Sequence, residues 1–252
     1  MIKESLYFSF AGRRSTEFGI NNVSISGGLF NEQLTSGKSI TEFTVRGNPK
    51  PYFVETKRDP KQFQLHFFFN EGWNDNLINE VVRWLDVDYY EPLFFSEDID
   101  RVFYCLPIDG IEQIHNGLKQ GYLTLNFRCN SPFSYSHEQV TPWIEVDGSK
   151  VIEIDNLGHH STLPDIWIES DKSGSISFFN LTDQNTEMRL DNLQTNEQLY
   201  IDCENEILET NLENVYRHDD FNENYLTLVY GKNHIKIVGK AKVKFSYRYI
   251  FS

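Results

Sequence analysis

Six carboxylates, Asp86, Asp88, Glu91, Glu97, Asp98 and Asp100, crowd residues 86–100 of the span RWLDVDYYEPLFFSEDIDRVFYCLPIDG (83–110). Two of them held roughly 5–10 Å apart in a cleft would suit glycoside hydrolysis, one as acid and the other as nucleophile or base. Calcium would need alternating oxygen ligands, a tight glycine turn and a distal glutamate, and SEDID and DVD fall short of that pattern. Acids that follow a helix and fill a turn are solvated unless paired, so the span reads as solvent-facing charge beside a structural seam.

The remaining reactive residues point the same way. His66, His115, His137, His159, His160, His218 and His234 offer no H-x-x-x-H pair and no nearby cysteine, and His159-His160 sits in a turn-like NLGHHSTLP. No G-x-S-x-G, P-loop or G-x-G-x-x-G occurs, and Cys105, Cys129 and Cys203 have no local partner that would activate a thiolate. These cysteines, odd in number and flanked by apolar sequence, read as buried thiols rather than disulfides or ligands. No catalytic residue, metal or cofactor is assigned. Trp143 and Trp167, with Tyr200, have the chemistry to stack on sugar rings. Trp167 alternates with Ile166 and Ile168, so it lies on the other face of its strand. Core packing is the reading preferred for it, with sugar stacking as the alternative.

The 252 residues, with 20 Phe and 13 Tyr, suffice for two modest domains, each with its own core. Residues 1–136 carry 13 basic against 17 acidic side chains and 137–252 carry 10 against 20, so most of the net charge of −14 lies in the second half. Such a surface repels phosphate backbones, and the only basic cluster, Lys240, Lys242 and Lys244, alternates with Ala241, Val243 and Phe245 as the polar face of a strand. No 18-residue apolar stretch and no cleavable leader pattern is found, so membrane insertion is not expected and a soluble product folded in the cytoplasm is.

Aromatic and β-branched alternation predicts strands at 6–10, 23–26, 40–45 and 63–69, then 92–95, 101–108 and 121–129. One helix is predicted in WNDNLINEVVRWLDV (73–87), capped by Asn74, with Trp73 stapling onto Ile78. Turns are expected at 96–100 and 114–121, the latter at Asn116-Gly117. The stretch 27–46 suits a long hairpin or an arm that grips a neighbour, with Phe30, Leu34, Ile40 and Phe43 as its contact residues. SPFSYSHEQVTPW (131–143) breaks the pattern and marks a domain boundary, giving domains 1–136 and 137–252. Beyond it, eight short strands at 150–154, 165–169, 175–179, 187–190, 199–203, 225–230, 234–238 and 242–251 predict a sandwich or jelly roll. Whether the last of these pairs within the second domain or returns to the first is open. The fold class is mainly β.

Taken in order, three stretches resemble the distal tail protein family of long-tailed phages and prophages of Gram-positive hosts. They are SLYFSFAGRRSTEFGINNVSISGGLF (5–30) with its S-x-x-F-G-I, the helix ending RWL followed by YYEPLFFSEDIDRVFYCLPID, and GYLTLNFRCNSPFSYS (121–136). The second half adds a looser series: N-x-G at 156–158, P-x-I-x-I at 164–168 and I-D-C at 201–203. The resemblance implies an N-terminal β-sandwich domain with one helix that forms a hexameric ring, and a C-terminal galectin-like β-sandwich projecting outward. It implies a non-enzymatic virion protein of the tail, assembled in the bacterial host cytoplasm, whose partners are its own copies, the tail-tube protein, a tail-tip protein and receptor-binding or baseplate proteins. The H-x-N-x-R constellation by which galectins hold sugar is absent, so sugar binding does not follow from the fold. In such a fold the aromatic pairs of 83–110 are expected to bury the helix against the sheet. A host cell-wall carbohydrate-binding module is the alternative function, and a glycan hydrolase ranks last.

Overall fold

The computed structural model describes residues 5–23, 35–116 and 118–252. Phe30 and Leu34, with most of the strand expected at 23–26, the first part of the arm and Gly117, lie outside the described residues. Among the described residues the chain is mainly β with one α-helix, as its alternation predicts. It divides into two compact units, 1–135 with Ser252, and 136–251.

The first unit holds β1 (Phe8–Phe10), β2 (Arg13–Arg14), β3 (Ile20–Asn22), β4 (Lys38–Phe43), β5 (Tyr52–Arg58), β6 (Gln62–Phe69), α1 (Asp75–Leu85), β7 (Glu91–Phe95), β8 (Asp98–His115), β9 (Gly121–Cys129) and β10 (Ser134–Tyr135). Its main sheet runs β2-β1-β7-β8-β9-β6-β3, with β10 on β8. β8 is far longer than the strand expected at 101–108. Asp109 and Gly110, a turn-like pair, sit at φ of 63° and 75° and form a bulge between Ile108 and Glu112, after which pairing with β9 resumes.

Helix α1 begins where the sequence places it, because the Asn74 side-chain oxygen accepts a hydrogen bond from the Leu77 amide at 2.9 Å. Its apolar stripe buries Val81, Trp84 and Leu85. The Trp84 indole stacks on Phe8 at 5.4 Å and on Phe18 at 4.5 Å between ring centroids, and its N–H donates to the Phe10 carbonyl oxygen at 2.8 Å. The aromatic pairs of 83–110 do not all join this core. Phe95 is buried and Phe94 only half-buried, as their opposite faces require, whereas Tyr89 is exposed and the Tyr90 hydroxyl accepts from Arg128. The tyrosines follow the end of the helix rather than its apolar stripe, so the helix is held by Trp84 and its aliphatic neighbours instead.

The second unit holds β11 (Gln139–Val140), β12 (Ile144–Asn156), β13 (Asp165–Ser170), β14 (Gly174–Asn180), β15 (Glu187–Leu193), β16 (Gln198–Asp202), β17 (Ile207–Thr210), β18 (Gly231–Tyr247) and β19 (Ile250–Phe251). The sheet order is β15-β14-β18-β13-β16-β17, with β11 and β12 also paired to β18. The expected strand 234–238 and residues 242–247 of the expected strand 242–251 thus merge into β18, whose residues 240–246 pair with β12 and β13 inside this unit, while Ile250–Phe251 form the separate β19. Gly239 permits the merger: at φ of 151° it continues the strand in a conformation closed to other residues, and a Cβ there would meet the Ser175 carbonyl oxygen at 3.0 Å.

The strand expected at 225–230 is not one. Leu226 and Leu228 are buried as their alternation demands, but this stretch meets its neighbours through a single bridge, Thr162 to Leu228. Three buried asparagines hydrogen-bond its backbone at 227–229. Asn180 donates to the Thr227 carbonyl, Asn156 to the Leu228 carbonyl, and Asn233 both donates to the Val229 carbonyl and accepts from the Val229 amide. Nearby, Arg217 and Glu197 form a buried two-pronged ion pair at 2.7 and 2.6 Å, joined by Asp220 and the Thr210 hydroxyl.

Truncation of Trp84 to Ala should cost ~3–5 kcal/mol, and so should Arg217→Ala, which strands a buried carboxylate; urea unfolding measures both. Replacing Arg217 and Glu197 together by Met should cost less than Arg217→Ala alone. Hydrogen bonds from Asn192 and then Arg217 hold the Asp220 carboxyl below its ordinary range. Its folded-state value lies below its unfolded one, so its stabilisation is present at neutral pH and is lost as the pH falls through that lowered value. Asp220→Asn should remove this part of the acid sensitivity of the melting temperature.

Candidate assembly interface

Strands β4 and β5 form a two-stranded hairpin that no third strand extends among the described residues. Their residues, KSITEF and YFVETKR, are rich in β-branched and aromatic types, which favours extended pairing. The connection 44–51 turns at Gly47, whose φ of 88° favours glycine, and the Asn48 side-chain oxygen accepts from the Lys50 amide at 3.0 Å. At the base the Asp59 amide donates to the Gly37 carbonyl at 3.1 Å. The hairpin is rooted in the first unit by the buried Ser36, whose hydroxyl donates to the Pro132 carbonyl at 2.8 Å, and by Arg58, which lies 5.7 Å from the Phe133 ring centre.

Both faces carry apolar side chains, and no described residue covers either. Phe43 and Tyr52 are cross-strand partners on one face, their rings stacked at 5.2 Å, while Ile40 opposite Thr56 and Phe53 opposite Glu42 occupy the other. Ile40 is 63% exposed, Phe43 55% and Phe53 65%, with Tyr52 and Val54 also exposed. Covering a large apolar side chain contributes roughly 1.5–3 kcal/mol, so five of them waiting in water form a strong potential contact. An isolated two-stranded hairpin is at best marginally stable, and this one has no cover among the described residues of its own chain.

Of the contact residues expected from the sequence, Ile40 and Phe43 lie on this hairpin, and Phe30 and Leu34 lie outside the described residues. Tyr52, Phe53 and Val54 were not anticipated. The signal was there in the run YFV, but the prolines at 49 and 51 on its flank make it read as loop.

The six carboxylates do not build a site. Asp86, Asp88, Glu97 and Asp100 are exposed, and Asp98 lies 3.7 Å from Arg101. Among the described residues no cluster of three or more His, Cys, Asp or Glu could hold a metal ion. Cys105, Cys129 and Cys203 are buried and free, and burial pushes the Cys203 thiol up to about 12.

In the second unit Trp143 and Trp167 come together on the outward face of the sheet. Trp167 is therefore not a core residue; it is half-buried, because the face of β13 opposite Ile166 and Ile168 looks to solvent. Lys244 stands between the two indoles, its Nζ 5.3 Å from the Trp143 ring centre and 4.2 Å from that of Trp167. Tyr200 continues the row at 5.1 Å from Trp167, and its hydroxyl donates to Asp165 at 3.2 Å. Burial and then the Asp165 charge push the Tyr200 hydroxyl up to about 12, and burial followed by Asp202 raises Asp165 itself.

Comparison with known proteins places this architecture. The model described as "Phage tail protein N-terminal domain" matches residues 3–131, and that described as "Phage tail C-terminal domain" matches 133–247. An SPbeta prophage-derived uncharacterized protein, YomH of Bacillus subtilis (strain 168), is 32% identical over 250 residues, covering 99% of each chain. Among solved structures, the SPP1 Dit protein, described as a paradigm of the hub adsorption apparatus in Gram-positive infecting phages, aligns with a TM-score of 0.70 at 15% identity over 98% of this chain and 99% of its own. A chain of the phage P2 baseplate in its activated conformation aligns with a TM-score of 0.50 at 10% identity over 96% of this chain and 97% of its own.

Because the hairpin's apolar side chains already face water, Phe43→Ser with Phe53→Ser should leave the melting temperature of the unassembled chain within about 2 °C, the effect of a surface change. A large loss of stability would show that these rings pack within the chain itself.

Proposed function

Because the chain belongs to the phage tail protein family, we propose that it forms a hexameric hub at the distal end of a long phage tail. The hub joins the tail tube to the tail-tip or receptor-binding apparatus and has no chemistry of its own. Support comes from the fold, which follows that of the SPP1 Dit protein over nearly the whole chain, and above all from the uncovered hairpin 38–58. Head-to-tail contacts between identical chains close into a ring when the rotation is right. The hairpin supplies one half of such a contact, with apolar faces and strand edges that no described residue pairs and that a neighbouring copy can pair or cover.

In this reading residues 1–136 are the ring-forming domain and 137–252 a galectin-like sandwich. The ring's partners are its own copies, the tail-tube protein, a tail-tip protein and the receptor-binding or baseplate proteins, brought together in the host cytoplasm and carried in the virion tail. The net charge of −14 suits a conduit for DNA, since a surface short of lysine and arginine has little hold on phosphates.

Light scattering on the purified protein, followed by negative-stain imaging, tests the ring. The expected mass is near six times the 29.6 kDa of one chain, with sixfold particles. Phe43→Ser with Phe53→Ser should shift the mass to smaller species. A chain that stays monomeric when concentrated and mixed with tail-tube protein removes the hub reading. Tight retention of duplex DNA at physiological salt would contradict the conduit.

A further inference from the structure

We propose that the outward face of the second unit around Trp143 is a binding site for an uncharged polysaccharide. An open depression of about 490 Å³ is lined there by Trp143, Ile144, Glu145, Lys150, Glu169 and Lys242, within the ~300–1,000 Å³ of small-ligand sites. Strand register explains the cluster. Lys242 on β18 has Glu145 of β12 on one side and Glu169 of β13 on the other, and Trp143 lies just before β12.

The chemistry of the lining selects the ligand. Trp143 is 43% exposed although Lys244 already contacts its ring, so indole surface remains available. A sugar ring offers a face of weakly positive C–H groups to such a π-system, and its rim of hydroxyls can both donate and accept. Glu145 and Glu169 accept from hydroxyls, and Lys150 and Lys242 donate to them. The two acids and two bases of the lining cancel, which leaves Lys244 beside the indole as a single excess positive charge, a weak attractor for a polyanion on a protein that is acidic as a whole. Its exposed apolar surface is one indole with Ile144 at its edge, less than the apolar centre of a protein–protein interface.

Lys244 gives the site its rigidity. Lying between the Trp143 and Trp167 rings, it joins the two indoles through one cation, and Tyr200 buttresses Trp167 from the next strand. An aromatic platform ordered before the ligand arrives loses less entropy on binding.

The full-length protein is run through native gels containing soluble glucan, galactan or oligomers of N-acetylglucosamine, with polyglycerol phosphate as the anionic control, and its tryptophan fluorescence is titrated with the same polymers. Retardation and a fluorescence change with at least one neutral polymer are expected. Trp143→Ala and Glu169→Gln should each weaken binding about tenfold or more, equivalent to ~1.4 kcal/mol, with the melting temperature unchanged. Glu169→Gln keeps the test valid if Trp143→Ala folds poorly. Failure of every neutral polymer to bind, binding to polyglycerol phosphate alone, or full binding by folded Trp143→Ala would each overturn the proposal. The oligomeric mass reports on the hub independently of this face.

Discussion

The indole of Trp84 is where the helix, the first strand and the short turn at 15–18 of the first unit meet. It stacks on Phe8 and Phe18 and donates its N–H to the Phe10 carbonyl, so one side chain satisfies both the apolar and the polar demands of a buried edge. Strand β1 pairs with β7, which leads through β8 and β9 to β6. The sheet that begins at this anchor therefore holds Lys61 and Ser131, between which the chain is tied at 3.1 Å, beside the residues that root the hairpin. A rigid base lets the hairpin stand away from the body without collapsing onto it.

That hairpin is the inverse of the core. Where the core hides its rings, β4 and β5 display theirs on two faces, and an arrangement so poor for a lone chain makes sense when a neighbour supplies the missing layer. The stacked Phe43–Tyr52 pair and the closed base keep it extended, which in the proposed ring would lower the entropy lost in assembly.

The second unit solves a different problem. Its residues 225–230 bury leucines without a strand ladder, and Asn156, Asn180 and Asn233 take over the backbone hydrogen bonds that a ladder would have made. The Arg217–Glu197 pair adds a second buried polar node. Inward polarity of this kind specifies one arrangement of the loops, while the outward face of the same sheet is left to the row Trp143, Lys244, Trp167 and Tyr200.

Alternation of side chains by itself determined the β class, because a strand's faces are set by period two and any half-buried sheet must show it. The helix was equally legible, since an asparagine cap and an apolar stripe at helical spacing are local features. Order along the chain, with the S-x-x-F-G-I and S-P-F-x-Y stretches, was enough to suggest the family. Tertiary structure decided what depended on distant partners. Asp109-Gly110 and Gly239 look like turns, yet both lie within long strands, because β9 pairs with the residues before and after the first and β12 pairs continuously through the second. Trp167 reads as a core residue by its type, and only the flanking strands β18 and β16, which put Lys244 and Tyr200 beside it, turn its face to solvent. The run at 52–54 became an exposed strand only through pairing with β4, since a residue's burial is a property of what covers it and its sequence neighbours carry no record of that.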